Sequence, residues 1–455
     1  MESLKENKME SKPILPLLLS MSIPAILSMI IQSMYNIVDS MFVAQLGNEA
    51  LTAVSLAFPI QNILLGTAVG TGVGVNSLIS RTLGEKNIDK SNTVVTYGLI
   101  LGFITWIIFF ILGILFIKQF FSMYTDSVTI FNFAVEYTNI VVYFSFGIII
   151  HIVIEKILQG SGSMILPMIF VLVGAIINII LDPIFIFGYF GVPALGVKGA
   201  AIATIVGQIS AMALAVMTLL FRKSDLKVKI KKLKFDFNII KDIYLVGIPA
   251  TLMFVLGSVL VMGLNSILIK ISAVGVSILG IFLKLQSFVF MPISGLTQGA
   301  MPIMGFNYGA KNRSRLLETL RISLIISIIF GLLGNILFLL FPNQLLYLFN
   351  SSEQMLSTGR IALSVLSFSF IFMAINNILC TLFQSVGNGM YSLIISLLRQ
   401  IIIILPLSYL FSRIYGLNGV WITFIIAESF STIVSIFLFK KLLVKFEDFN
   451  ECLKV

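Results

Sequence analysis

Charge is scarce in this chain: Asp, Glu, Lys and Arg make up 11% of its 455 residues, against roughly 25% in an ordinary soluble domain. Cysteine is scarcer still, with only Cys380 and Cys452. One falls inside an expected helix and the other in the tail, so neither a disulfide scaffold nor a thiolate metal cage is available. No set of residues reads as a nucleophile with its base, a metal cage, or diphosphate-binding carboxylates near a membrane face. An enzyme is therefore not expected, and no cofactor is required.

What the chain has instead is apolar length, since 58% of its residues are hydrophobic. Crossing a hydrocarbon core of ~30 Å takes ~20 predominantly apolar residues in a helix. Twelve segments of that kind are expected, over 14–45, 51–79, 93–118, 129–157, 164–187, 198–221, 241–271, 275–306, 318–341, 355–383, 391–413 and 419–441. They leave little chain for a soluble domain. The first segment is far longer than the apolar core of a cleavable signal and contains Asp39, so it is expected to remain as the first span.

The formal charge of +10 could suggest nucleic acid, but Lys and Arg mark the cytoplasmic loops of membrane proteins. With the N-terminus inside, 23 of the 30 basic residues fall at inner ends and five at outer ends: Lys118, Lys198, Lys270, Arg360 and Arg413. Lys284 and Arg399 lie within spans. The distribution implies a lipid bilayer rather than nucleic acid as partner, a plasma (inner) membrane location, and both termini in the cytoplasm. Arg222 to Lys241 carries eight basic residues and joins the sixth span to the seventh. The expected organisation is a six-helix bundle over 1–221, a basic linker over 222–240 and a second six-helix bundle over 241–455.

Sliding the sequence on itself by 225 residues places Ile23-Pro24-Ala25 on Ile248-Pro249-Ala250, and Gly84-Glu85-Lys86-Asn87 on Gly309-Ala310-Lys311-Asn312. The same offset pairs Gln61 with Gln286, Gly70 with Gly295, Gly74 with Gly299 and Gln159 with Gln384; after a short deletion Gly196 and Gly199 meet Gly416 and Gly419. Identity is only 11 of 68 positions from Ile23 to Lys90. Apolar composition nevertheless does not put Pro, Gly, Gln, Lys and Asn in register, so the chain reads as a duplication. Each half has an even number of spans, hence the repeats are parallel and their pseudo-twofold axis runs along the membrane normal. Two such bundles would enclose a cleft able to open to either side by rocking.

Four segments carry a resemblance. They are Tyr35-Asn-Ile-Val-Asp39-Ser before Gly47; Leu181-Asp-Pro-Ile-Phe-Ile-Phe-Gly188; Gly196-Val-Lys-Gly-Ala-Ala-Ile-Ala-Thr204; and Gln298-Gly-Ala-Met-Pro-Ile-Met-Gly-Phe-Asn-Tyr-Gly-Ala310. Over residues 14 to 441 the chain resembles the multidrug and toxic compound extrusion (MATE) family. The resemblance implies an all-α polytopic membrane protein with twelve transmembrane helices in two bundles. It also implies efflux of organic compounds driven by H⁺ or Na⁺.

Ser28, Gln32, Tyr35, Asn36 and Asp39 share one helical stripe on the first span, which should face a cleft because a lipid-facing polar stripe is costly. Asp39, Asp182 and Thr204 lie at similar depth below the outer ends of their spans, with Asn178 one turn from Asp182. Two carboxylates in a partly dehydrated pocket cannot both ionise cheaply, which favours a proton or a hard cation there. In the subgroup resembling DNA-damage-inducible exporters, matching Asp, Asn, Asp and Thr residues form the cation site. By that resemblance Asp39, Asn178, Asp182 and Thr204 are the coupling set; polar glue between helices is the plainer reading. At the repeat offsets Asp39 falls on Leu264, Asn178 on Ile403 and Thr204 on Phe424, so the site should be single. A second subgroup carries acidic residues within its seventh and tenth spans. Here the interiors of those spans contain no acidic residue, and the tenth offers Asn376 and Asn377.

Gln32, Tyr35, Asn36, Lys284, Met291 and Asn376 are the candidate substrate-cavity residues. Lys284 is either a cavity cation or half of a structural ion pair. Met34, Met41, Met253, Met262, Met291 and Met301 form either an adaptable wall for aromatic cations or ordinary apolar lining. Arg399 and Glu428 are expected to pair, and Glu136 faces either cleft or interface. His151 and Glu155 have metal-ligand spacing but lack a third ligand, so a hydrogen-bonded pair near Lys156 is the plainer reading. Gly66, Gly70 and Gly74 should allow close helix approach. Pro24, Pro249, Pro292 and Pro302 are expected kinks or hinges. The function expected is a secondary antiporter, a monomer with a small-molecule substrate that is cationic and amphipathic. The alternative is a flippase for a lipid-linked or bulky polar substrate.

Overall fold

The computed structural model of the chain describes residues 7–221, 226–229, 235–349 and 353–451, with 445–451 described by backbone alone. The middle of the basic linker, residues 222–225 and 230–234, and Cys452 lie outside them. Among the described residues the fold is all helical, with no strand. A short α1 (Lys8–Ser11) precedes α2 (Ile14–Ala44), α3 (Asn48–Gly84), α4 (Ile88–Ser122), α5 (Val128–Tyr143), α6 (Phe146–Gly160), α7 (Ile165–Phe187) and α8 (Val197–Phe221). The second half runs through α9 (Phe237–Leu268), α10 (Ala273–Gly309), α11 (Arg313–Leu340), a short α12 (Pro342–Tyr347), α13 (Glu353–Ser367), α14 (Ser369–Ser385), α15 (Gly389–Leu397), a π-helical turn at Leu398–Ile403, and α16 (Ile404–Glu451).

Nine stretches among the described residues are individually long and apolar enough to span a bilayer, and two bent pairs, α5 with α6 and α13 with α14, each make one more. The stretch Gly389–Val444 counts there as one, but Gly416 breaks it with φ 59° and ψ −139°, so it contributes two. The expected twelve spans are thereby accounted for. Their outward faces are apolar: on α4, Ile107, Ile108, Ile111, Leu115 and Phe116 are all exposed. A helix this apolar on its open side is solvated by lipid, and its backbone groups are satisfied internally, as the hydrocarbon demands.

The bends fall at matching places. α5 and α6 meet at 44°, α13 and α14 at 40°, and Phe144 and Ser369 are partners at the 225-residue offset. In the first half the disturbed helix is stitched from outside, because Trp106 Nε1 donates to the Tyr143 carbonyl at 2.9 Å. The four expected proline kinks are milder, as α2, α9 and α10 run continuously through Pro24, Pro249, Pro292 and Pro302.

Packing divides the chain into two compact units, Leu27–Thr251 and Met1–Ile26 with Leu252–Val455. The divisions fall inside α2 and α9, two residues after Pro24 and two after Pro249. Each half thus lends the start of its first helix to the unit that holds the rest of the other half. Glycines make this exchange fit. A Cβ on Gly70 would strike the Gly247 carbonyl and Thr251, and one on Gly74 would land on the Ile243 carbonyl; one on Gly295 would strike Ile26, and one on Gly299 would strike Ser22. Gly70 and Gly295, Gly74 and Gly299, and Ile26 and Thr251 are all partners at the same offset. The in-register glycines are therefore reciprocal contact points, where backbone meets backbone as small residues allow.

The leading segments follow their helices. Lys227 N donates to Asn92 Oδ1 at 2.5 Å, Lys229 N to Thr96 Oγ1 at 3.0 Å and Asp236 N to the Tyr97 hydroxyl at 2.6 Å, so the described part of the linker docks on α4. In the other unit Arg315 of α11 donates to the carbonyls of Met9 at 3.2 Å and Lys12 at 2.7 Å. The repeated Lys-Asn pairs also have a local reason. Lys86 and Lys311 take positive φ (58° and 54°). Asn87 and Asn312 then cap α4 and α11, accepting from Lys90 N at 3.0 Å and Arg315 N at 3.1 Å.

Candidate functional site in the first unit

Asp39 enters from the last turns of α2, Asp182 and Asn178 from adjacent turns of α7, and Thr204 from the second turn of α8. Asp182 is 0% exposed and Asn178 2%. The Asn178 amide nitrogen donates to Asp182 Oδ1 at 3.3 Å and lies 3.5 Å from Thr204 Oγ1. Asp39 and Asp182 lie close enough to act on one another electrostatically, and two carboxylates this near repel unless one of them is neutralised. Asp39 Oδ1 and Asp182 Oδ2 are buried with no donor among the described residues. Pro183 follows directly and removes a helical N–H, which loosens α7 beside the pair. All four coupling candidates thus come together inside one unit.

Two tyrosines extend the group. Tyr35 and Tyr137 lie within electrostatic range of both Asp39 and Asp182, and the Tyr137 hydroxyl accepts from Gln61 Nε2 at 3.2 Å. Tyr137 and Gln61 were not among the sequence candidates. Gln61 was visible only as a repeat partner of Gln286, and Tyr137 gave no signal, being one aromatic residue in an apolar run.

One helical turn deeper, Gln32, Tyr35, His151, Asn178, Thr204 and Gln208 line a cavity of about 50 Å³. Space of that size holds a few waters, each needing ~10–15 Å³ on this measure. Gly174 and Gly207 also line it and bring α7 and α8 into close contact, and Asn178 Oδ1, Gln208 Oε1 and His151 Nε2 are buried with no hydrogen-bond partner among the described residues. Gln208 was missed, although its position one turn after Thr204 on a polar face was a usable signal. Asn36 is exposed and outside this lining, so the expected stripe on α2 divides: Gln32 and Tyr35 face the cavity, Asp39 faces Asp182, and Asn36 does neither.

Lys284, Met291 and Asn376 lie in the second unit. Lys284 is exposed, has no ion pair among the described residues, and places its amine 5.9 Å from the centre of the Phe349 ring. Met291 is half-buried. Asn376 is 1% exposed; its Nδ2 donates to Glu428 Oε2 at 2.9 Å and its Oδ1 accepts from Ser435 at 2.8 Å. Arg399 pairs with that same Glu428 at 3.2 Å, so Asn376 completes a buried ion-pair network. Glu136 forms an exposed pair with Lys198 at 3.4 Å. His151 and Glu155 do not gather a third ligand, and among the described residues no group of three His, Cys, Asp or Glu side chains could hold a metal.

Comparison with known proteins identifies the family. The MatE family model matches twice, over residues 24–184 and again over 249–410, starting at the two equivalent prolines. The chain is similar to the multidrug export protein MepA of Staphylococcus haemolyticus, with 27% identity covering 94% of each chain. It is also similar to an FAD transporter of Shewanella oneidensis, with 29% identity covering 90% of each. Among solved structures, an outward-facing multidrug resistance MATE family transporter of the MOP superfamily superposes with a TM-score of 0.91 at 26% identity, covering 98% of this chain and 100% of that one. With duplicated halves, twelve spans and matches over nearly its whole length, the chain belongs to the MatE family of multi-pass membrane transporters.

Proposed function

We propose that the chain is a secondary antiporter of the plasma membrane, with both termini cytoplasmic, that exports organic cationic, amphipathic compounds in exchange for H⁺ or Na⁺ by alternating access. The observation that carries this reading is the pair Asp39 and Asp182 with Asn178 and Thr204 as uncharged oxygen neighbours, Asp182 and Asn178 buried and Asp39 and Thr204 half-buried inside a membrane-spanning unit. Two carboxylates this close repel unless a proton or a cation sits between them, so the loaded and discharged states favour different packing of α2. Loading from outside and discharge inside would tie the gradient to the conformational cycle. The relatives named as multidrug export proteins support an organic substrate.

A second reading concerns the substrate's charge. Lys284, exposed and without an ion pair among the described residues, suits a compound with an anionic group, and one relative is named an FAD transporter. The test is transport in proteoliposomes with pH and sodium gradients imposed separately, using a fluorescent organic cation and a fluorescent anionic compound. Either gradient driving uptake in wild type, with loss in Asp39→Asn and in Asp182→Asn, supports the coupling reading. Normal transport by both variants at normal expression refutes it.

A further inference from the structure

His151, Glu155 and Gln159 follow one another at intervals of four residues on α6, which stacks them on one face of the helix. At the upper rung, His151 is 5% exposed, and its Nε2, like Asn178 Oδ1 and Gln208 Oε1, has no hydrogen-bond partner among the described residues; all three residues line the cavity. Buried polar atoms are costly without hydrogen bonds, and three of them belong to residues that line one small cavity, where water entering on a modest side-chain movement could bridge them. The Asn178 amide nitrogen is taken up by Asp182 and Thr204, which leaves Oδ1 as its open acceptor. Asn178 thus touches the carboxyl pair with one end and the cavity with the other. At the lower rungs, Glu155 Oε1 accepts from Gln159 Nε2 at 2.7 Å and from Lys156 Nζ at 3.2 Å, and Lys156 also donates to Gln159 Oε1 at 2.9 Å. Lys156 is 8% exposed.

We propose that this face of α6 is the inner leg of a proton path. Protons leaving Asp39 and Asp182 cross the cavity on waters held by Asn178, Gln208 and His151, and depart along Glu155, Lys156 and Gln159 toward the α6 end that the basic residues assign to the cytoplasm. The proposal rests on the coupling role of the carboxyl pair. Each transfer breaks one O–H or N–H bond as it makes the next: a carboxyl proton passes to water, water protonates His151 Nε2, and after the imidazolium ring turns that nitrogen releases a proton to water on the Glu155 side. The net change is one proton moved and one carboxylate left behind. The charged groups acting on His151 are Glu155 and Lys156 of its own helix. α7 presents Phe170 and Asn178, α8 presents Thr204 and Gln208, and α2 presents Tyr35. α3 and α4 carry no charged residue between Glu49 and Arg81 or between Lys90 and Lys118.

The test reads the carboxyl pair directly, by stopped-flow infrared spectroscopy of the full chain in oriented proteoliposomes after a pH jump on the side of the α6 C-terminus. Wild type should show a protonated-carboxyl band that Asp39→Asn and Asp182→Asn remove. A positioned proton-transfer group contributes ~100-fold or more. His151→Leu should therefore reach the same final band amplitude, which also reports folding, at least about tenfold more slowly. His151→Gln, which holds water but has no titratable ring, should fall between, and Gln159→Leu should slow the band as well. Unchanged rates in the His151 variants overturn the path while leaving the coupling pair standing. A band that survives in both Asp variants, or no band in wild type, overturns the coupling reading and removes the path's endpoint.

Discussion

The two halves share a backbone plan, yet the same repeat positions are polar in one and apolar in the other. Asp39, Asn178 and Thr204 of the first unit correspond to Leu264, Ile403 and Phe424 of the second. There, Leu264 and Phe424 belong to a core built around Phe282, Phe338 and Phe370, onto which Ile403 packs. Phe338 meets Phe370 edge-on at 5.0 Å, and Phe424 meets Phe282 at 6.1 Å. The cavity has a counterpart too. His151 maps to Asn376 and Gly174 to Arg399 at the 225-residue offset, while Gln208 maps to Glu428 at the 220-residue offset that pairs Gly196 with Gly416. Where the first unit has Gly174 packed closely against the Gly207 carbonyl and Ala211, the second has Arg399, whose guanidinium pairs with Glu428 beside Asn376. Duplication supplied one frame, and substitution made one copy a titratable site and the other a rigid core.

The largest effect should separate these copies. Asp39→Asn and Asp182→Asn keep shape and hydrogen-bonding capacity but remove the charge change, so gradient-driven transport should fall to background in vesicles. Leu264→Asn, at the matching place in the second unit, should leave coupling intact and lower stability by ~2–5 kcal/mol, as expected for an unpaired amide in a dry core. Coupling lost equally from Leu264→Asn would show that the asymmetry is not functional.

The next effect concerns the closed counterpart. Glu428→Leu leaves Arg399 buried without its partner, which typically costs ~3–5 kcal/mol. Thermal unfolding in detergent should show this as a marked drop in Tm. Removing both charges, in Arg399→Leu with Glu428→Leu, should recover most of the loss, since a well-packed apolar pair is often as stable as a buried ion pair. Failure of the double variant to recover would point to a role for the ion pair beyond filling the space.

Much of this was legible in the sequence because polar residues are rare within spans: Asp39, Asn178, Asp182 and Thr204 stand out in an apolar run, and repeat spacing exposed the duplication. The exchange of leading segments between units was not legible. The glycine pairs Gly70/Gly295 and Gly74/Gly299 were visible, but spacing says only that a neighbour comes close, not which helix supplies it. Asn376 was also opaque as to partner. An amide in an apolar span needs hydrogen bonds, and only packing reveals that Glu428 and Ser435, more than fifty residues away in sequence, provide them. The bends before His151 and Asn376 left no proline to mark them.

A smaller effect tests whether the exchange is equivalent in the two halves. Gly70→Ala and Gly295→Ala each place a methyl against the backbone of a lent helix segment, at Gly247 in one unit and Ile26 in the other. Overpacking of this kind typically costs ~1–3 kcal/mol, and the two values should agree closely. Gly257→Ala and Gly280→Ala meet open space and should be neutral or stabilising by up to ~1 kcal/mol, the ordinary helical preference for alanine. A cost at Gly295 alone would mean that only one of the lent segments is held tightly.

The smallest effect contrasts an exposed pair in the first unit with the buried pair in the second. Lys198 and Glu136 approach to 3.4 Å, but both side chains are 46% exposed, whereas the Arg399 and Glu428 side chains are 14% and 4% exposed. Exposed pairs gain little, because water screens the attraction and two flexible side chains must be ordered; typical values are ~0.2–1 kcal/mol. Glu136→Gln should therefore shift thermal stability by no more than ~1 kcal/mol, and salt should erase even that difference. The Glu428 variant's loss should persist in the same salt, since burial shields that pair from screening. Equal salt sensitivity in the two variants would mean that the second pair is hydrated after all, and that its unit is not the dry counterpart that the Phe282 core and its closed space indicate.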